Sequence, residues 1–558
     1  MIPPPSPAFA STSGKNVLGQ KLSHLGPAQL ALLMRKLDKR IARIPHTADL
    51  RQAPLSYAQE RLWFLDQFEP QNAAYHIPGV MRVKGAFSEV TLEQAVNEVI
   101  RRHAVLRTSF VLTEEGARQI IHTAKQLRID TTDLRGVREG TQWQKVRRIA
   151  REEAEKGFDL KQDLLLRVKV VQLDEEERVI FYTMHHIISD GWSMAILIRE
   201  VATLYEALKN KEPAPLRELN IQYADFAIWQ REWLQGKVLE QQVEYWKRQL
   251  AGAPEVLELP TCRPRPRVQT YAGSFEGFTI GGELRDGVKR LTRQEDVTLF
   301  MLLLAAFNVV LWHFTKRDDL VVGTDIASRD VLETESLIGF FVNQLVLRSN
   351  LAGNPTFQSI LNQVRTTAVG AYAHQDLPFE LLVKAIKPER KASTSPVFQI
   401  KLLLQNFPPA EVEISNLTTS PVNLAGEKGE NGEEFARSEC DLTLEIFDMA
   451  AGLVGKMRYR TDLYDRSIIR NCIAAFEVVL GVVTRDPGSS LKSLEEAIKD
   501  KLCEELRTQV AAVERVRRDK INALHRKRRE GNEQRSLHEF RTDEFRLKAI
   551  TDCQLENN

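Results

Sequence analysis

The stretch FYTMHHIISDGWSMAIL (181–197) constrains the fold of this chain more than any other. A β-branched and aromatic run predicts a strand over 177–185. It ends on His185 and His186, and after a short loop Asp190 and Gly191 precede an amphipathic helix predicted over 194–208. Such a strand needs a sheet to hold it, and the helix must bury its apolar face on that sheet, so the chain is committed to a mixed architecture. A histidine at a strand end is held rigidly by the sheet yet can face a cleft. Asp190 is four residues on, so a tight loop can bring its carboxylate back under the ring. Gly191 lets backbone approach a substrate closely, and its N–H lies near a helix start, where partial positive charge favours a developing oxyanion. Three readings of the pair compete. Two histidines and one aspartate could begin a metal site, but another ligand is needed and the HEXXH spacing is absent. Both histidines could be core residues. One could do acid–base or positioning chemistry while its neighbour, on the opposite face of the strand, is structural. The motif alone does not say which is which.

The rest of the chain agrees with a mixed class. Strands are predicted over 75–84, 164–173, 275–280, 320–323, 342–348, 397–405 and 453–459, and also over 104–112. Helices are predicted over 90–103 and 296–314. These elements interleave without a regular βαβ period, which favours α+β over a doubly wound sheet. They occupy roughly 430 residues, too many for one core, so two lobes are expected. The segments TCRPRPRVQTYAG (261–273) and GEKGENGEEFARSE (426–439) read as loops, the second polar and mobile. Residues 1–50 read as a disordered Pro/Ser-rich start, a short amphipathic helix over 27–43 and a linker. Past 490, Leu491, Leu494, Ile498, Leu502, Leu506, Val510 and Val513 step by three and four between charges, predicting one long helix. The predicted organisation is therefore 1–50, lobes over 51–220 and 221–490, and a charged helical tail over 491–558 that could dock a partner or form a coiled coil.

Several classes are disfavoured. The net charge of +2 selects neither nucleic acid nor an anionic membrane. The basic cluster at 525–529 lacks interleaved aromatics and reads as a solvated helix end. The most apolar window, 297–312, is shorter than a membrane span and contains Asn308, so it reads as a buried helix. The start of the chain lacks the pattern of a signal peptide. Five scattered cysteines without CxxC spacing read as reduced thiols, which points to the cytoplasm.

HHxxxDG, present as His185, His186, Asp190 and Gly191, resembles the signature of nonribosomal peptide synthetase condensation domains and of the wider chloramphenicol-acetyltransferase-like acyltransferases. Six further segments resemble condensation-domain motifs in the same order: LSYAQERLWFLDQ (55–67), RRHAVLRTSF (101–110), YADFAIWQRE (223–232), LIGFFVNQLVLR (337–348), HQDLPFE (374–380) and SPVFQI (395–400). The resemblance covers 52–490. It implies two acetyltransferase-like lobes in a V with a tunnel between them. It implies His186 as the catalytic residue, facing the tunnel, and Asp190 as a structural residue paired with Arg329. Arg61 and Asn343 match positions near the tunnel, and Trp192 and Ser193 are further tunnel candidates. Arg61 and Asn343 could equally serve packing and loop support, and Trp192, Trp63 and Trp229 read more readily as core residues than as ligand contacts. The implied reaction forms an amide between a carrier-bound acyl or peptidyl thioester and an amine, with no bound cofactor and no metal. The reactants would arrive on the phosphopantetheine arms of donor and acceptor carrier proteins, supplied in trans if the chain is freestanding. A neutral imidazole could take or steer the amine's proton at neutral pH. A free acyltransferase using soluble substrates is the enzymatic alternative. An inactive recruitment module is the non-enzymatic one and predicts a damaged histidine motif.

Overall fold

The structure, a computed structural model, describes residues 43–529 apart from 124, 258, 389–392, 406–416, 423–435 and 450–451. The segments expected over 1–20 and 27–42, and most of the polar loop at 426–439, lie outside the described residues.

Two large apolar cores form among the described residues. The first is built by α1 (Tyr57–Phe68), β1 (His76–Gly85), α2 (Glu89–Arg102), β2 (Leu166–Asp174), β3 (Glu177–His185), α3 (Gly191–Asn210) and α4 (Tyr223–Trp233). Its sheet runs Leu417–Pro421, β1, β3, β2, Asp130–Asp133, so β3 is central. A central strand must bury both faces, and β3 buries Val179, Phe181, Thr183, Met184 and His185. The RRHAVLRTSF segment departs from its predicted strand. Ala104–Arg107 forms a 3₁₀ turn and pairing starts only at Thr108. The Thr108 hydroxyl donates to the Ala104 carbonyl at 2.8 Å, and the Ala104 N–H donates to Gln222 Oε1 at 2.8 Å, so side chains close the turn.

The second core surrounds α5 (Leu299–Thr315), the element behind the apolar 297–312 window. Leu302, Leu303, Val309 and Val310 are all fully buried, and Asn308 donates to Ser349 Oγ at 2.9 Å. Among the described residues no single helix is long and apolar enough to cross a membrane. The sheet beside α5 contains β4 (Ala272–Ile280), β5 (Asp319–Ile326), β6 (Asn343–Asn350), β7 (Ile400–Gln405), β8 (Leu442–Met449) and β9 (Gly452–Arg460). Its order is β6, β5, β7, β8, β9, β4, then Ala436–Arg437, and β7 runs parallel to both neighbours. The mixed helix and sheet content is that of the α+β class.

Two segments from beyond β4 cross to the first core. Val331, Leu337, Ile338 and Phe341 pack into it, and Leu417–Pro421 pairs with the edge of β1. The terminal helix α6 (Leu491–Arg529) starts where the spacing predicts. Its first turns bury Leu491, Leu494 and Ile498 in the second core, whereas Val510 is exposed. The projecting part of the tail therefore begins after those turns.

Candidate active site

The loop after β3 is shaped by His185. Its Nδ1 accepts the Ile187 N–H at 3.1 Å, capping the 3₁₀ turn His186–Ile188. The ring lies edge-on to Phe158 and His76, inside the core. Burial pushes its pKa well down, and the neighbouring His76 and His186 add to that, so His185 is a neutral packing and capping residue.

His186 lies on the turn with part of its surface open, its ring 5.7 Å from that of Phe340. Its Nδ1 is 3.2 Å from the Ser189 carbonyl. A carbonyl only accepts, so Nδ1 carries the proton and Nε2 is left with its lone pair. Burial lowers the pKa of His186, while the Glu439 carboxylate, the Ser189 carbonyl, Asp190 and Asp325 pull it up. The net direction is down, and the imidazole is neutral at pH 7.

Asp190 caps α3 from beneath. Its Oδ1 accepts the Ser193 N–H at 2.8 Å, and its Oδ2 accepts the Phe341 N–H at 3.1 Å. Arg329 Nη2 lies 3.1 Å from Oδ1, with both side chains 2% exposed. Arg329 also donates to the carbonyls of Thr334 and Leu337. The first core, the histidine loop and the 329–341 segment are thus tied at one carboxylate. Gly191 opens α3 and keeps part of its surface open.

Other matched motifs converge on the same loop. Gln59 of α1 donates to the Ile187 carbonyl at 3.1 Å. Tyr223 of α4 donates to the Phe340 carbonyl at 2.6 Å and meets Ser56 Oγ at 2.8 Å. Its ring crosses Gly339 so closely that a Cβ there would lie 1.9 Å from a ring carbon, which excludes any larger residue. His103 Nε2 reaches Glu200 Oε2 at 3.0 Å and its Nδ1 accepts the Ile338 N–H, joining α2, α3 and the 329–341 segment.

The tunnel candidates divide. Ser193 is fully buried, donates to the Gly339 carbonyl and receives Arg329 Nη2, so it braces the loop and lines no cleft. Trp192 is engaged by the Glu335 carbonyl at 2.9 Å and lines a surface cavity of about 340 Å³ with Ala195, Arg199 and Leu332. Asn343 donates to the carbonyls of Gln375 and Leu377 and accepts from the Phe379 N–H, so it anchors the HQDLPFE segment. Trp63 and Trp229 pack against the first core. Arg61 bridges the two cores: Nη1 donates to Gln344 Oε1 at 3.1 Å and lies 3.8 Å from Glu380. Burial opposes its charge, but Glu380, Glu439 and Asp325 outweigh that and raise its pKa.

Three charged residues on the second core's side escape the motif pattern. Lys401, with a side chain 7% exposed, is held 3.0 Å from Asp325, and Glu439 approaches it at 4.0 Å. A lysine inside the apolar strand IKLLLQ is the one signal of them in the sequence. Among the described residues, no group of three or more His, Cys, Asp and Glu side chains is arranged to hold a metal ion.

The HHxxxDG residues thus stand at the end of a central strand, capped and braced by the 329–341 segment. A family model described as "Condensation domain" matches residues 50–503, and the chain belongs to that family. It is 42% identical over 455 residues to a linear gramicidin synthase polypeptide of Brevibacillus parabrevis, covering 82% of this chain and 9% of the relative. It is 34% identical to phosphinothricin tripeptide synthetase PhsC of Streptomyces viridochromogenes, covering 87% of this chain and 44% of the relative. The chain thus spans less than half the length of either relative. Among solved structures, the X-domain from teicoplanin biosynthesis superposes with a TM-score of 0.72 at 25% identity, covering 81% of this chain and 99% of that one. The first condensation domain of the calcium-dependent antibiotic synthetase, in complex with a substrate analogue, shares the fold at a TM-score of 0.65 and 17% identity, covering 80% of this chain and 98% of that one. Condensation domains of nonribosomal peptide synthetases form amide bonds and work with carrier domains.

Proposed function

We propose that this chain joins a carrier-bound acyl or peptidyl thioester to the amine of a carrier-bound aminoacyl thioester, with His186 as the catalytic residue. The two phosphopantetheine arms present the reactants in a tunnel between the lobes. The observation that carries the reading is the His186 tautomer. With Nδ1–H directed to the Ser189 carbonyl, Nε2 is a neutral acceptor for an amine proton. Holding two tethered reactants together supplies much of the acceleration. Backbone N–H groups around Gly191, at the start of α3, are the candidates to face the tetrahedral oxyanion. The histidine motif is intact, which argues against the inactive recruitment reading.

The test is an intact-mass assay with loaded donor and acceptor carrier proteins. Wild type should form the condensed product and His186→Ala should lose roughly a hundredfold or more in rate, with an unchanged melting temperature. A folded His186→Ala protein turning over at the wild-type rate would remove the assignment. Equal rates with soluble thioesters and no carrier would favour the free-acyltransferase alternative.

A further inference from the structure

The surface cavity of about 340 Å³ has two walls. Trp192, Ala195, Ile196 and Arg199 of α3 form one, and Leu332, Glu335 and Ser336 of the 3₁₀ turn Leu332–Ser336 form the other. Leu332 is 53% exposed, whereas Val331 and Thr334 of the same segment are buried. One residue along that turn, Glu333 Oε2 accepts the Ile44 N–H at 3.0 Å. Ile44 is buried in the first core, although Arg43 and Pro45 on either side of it are exposed. The chain before Ile44 therefore departs beside one wall of the cavity. Its sequence suits such a hollow. Leu30, Leu33, Leu37, Ile41 and Ile44 step by three and four, which puts them on one face of a helix, and the last of them is the buried one. A helix running back from Ile44 carries Leu37 about 10 Å away, at roughly 1.5 Å per residue. Residues 27–43 hold five cations and a single acid, Asp38, while the turn offers the carboxylates of Glu333 and Glu335. Arg199 is the one cation among the described residues that line the cavity.

We propose that the amphipathic segment 27–42 of this chain is the occupant of that cavity, seating Leu37 against Leu332 and Trp192. A lone helix of that length is marginal in water, so its order comes from burying its apolar face. The cations of the segment meet the two carboxylates of the turn, and Asp38 is the acid available to Arg199. Docking covers the turn whose Thr334 carbonyl accepts from Arg329 and whose Glu335 carbonyl accepts from Trp192 Nε1 at 2.9 Å. The residues that precede the first core thus back the carbonyls that hold Arg329 against Asp190. The inference is independent of the chemistry proposed for His186.

The test is limited proteolysis of the full chain with trypsin, read by intact mass. Trypsin has sites at Arg35, Lys36, Lys39 and Arg40 inside the segment, and at Lys15 and Lys21 before it, which serve as the internal reference. Cleavage of a docked segment follows the fraction of time it is open. Leu332→Asp should raise cleavage at 35–40 about tenfold relative to the reference sites, as expected for the loss of one buried leucine contact. Leu37→Asp should do the same, and the double variant should go no further, because both remove a single shared contact. Val268→Asp, at an exposed apolar side chain elsewhere, should leave the rate unchanged. None of these rates should depend on protein concentration. A wild type cut inside the segment as fast as Leu332→Asp would overturn the inference. Protection that grows with protein concentration would overturn it too, by assigning the cavity to a second copy of the chain.

Discussion

Asp190 shows how tightly one side chain can be committed. Both oxygens are occupied, by two backbone N–H groups and by Arg329. Removing it strands a buried guanidinium, at about 3–5 kcal/mol. Asp190→Ala should therefore lower the melting temperature and the activity together, measured by thermal denaturation beside the mass assay. An unchanged melting temperature would show that Arg329 finds another anion. His186 makes a different prediction. Its pKa is lowered, chiefly by burial, so the neutral base persists below the usual histidine range. The acidic limb of the kcat profile should fall below pH ~6.5, with activity present above it and lost as pH drops through it. A limb well above 6.5 would assign the titration to another group. Stability has its own pH dependence. Burial lowers His313 to about 4, so the unfolded chain binds a proton that the fold rejects. That contribution is complete above the unfolded value of about 6.5 and is lost as pH falls toward 4. Denaturant titrations at pH 7 and 5 should show the loss, and His313→Leu should reduce it.

At the scale of elements, strand, loop and helix around the histidine motif are legible in the sequence because each has a strong local signal. β3 is β-branched and aromatic, Asp190 is a good N-cap, and α3 is amphipathic. The 104–112 segment reads wrongly as one strand because Gln222, far away in sequence, supplies the acceptor that closes its turn. Ser193 reads as a tunnel residue because sequence cannot show that Gly339 and Arg329 enclose its hydroxyl. Glu439 is hidden in a polar loop, since its relation to Lys401 exists only once β7 and β8 pair. The start of α6 is legible as a helix but not as core. Cutting the chain before Leu491 removes three buried aliphatic side chains, each worth about 2–5 kcal/mol. A protein ending at 503 should keep its melting temperature, while one ending at 490 should unfold well below it. Equal melting temperatures, measured by calorimetry, would place those side chains outside the cooperative unit.

At the scale of the molecule, the two cores are joined by more than a linker. The 329–341 segment lies under the histidine loop, Arg61 reaches Gln344, and Leu417–Pro421 completes the sheet that holds β3. This last strand has a consequence for recombining such proteins. A gene fragment that stops before the crossing segments would encode a sheet whose β1 edge lacks its native cover. Bare edges recruit other strands, so the fragment would be expected to self-associate. Grafting the later half of one homologue onto the earlier half of another would succeed only where the visiting strand and its host still match in register, Thr419 against Val83 and Leu417 against Gly85. The practical unit of inheritance and of exchange is thus the pair of lobes together, although each has an interior of its own.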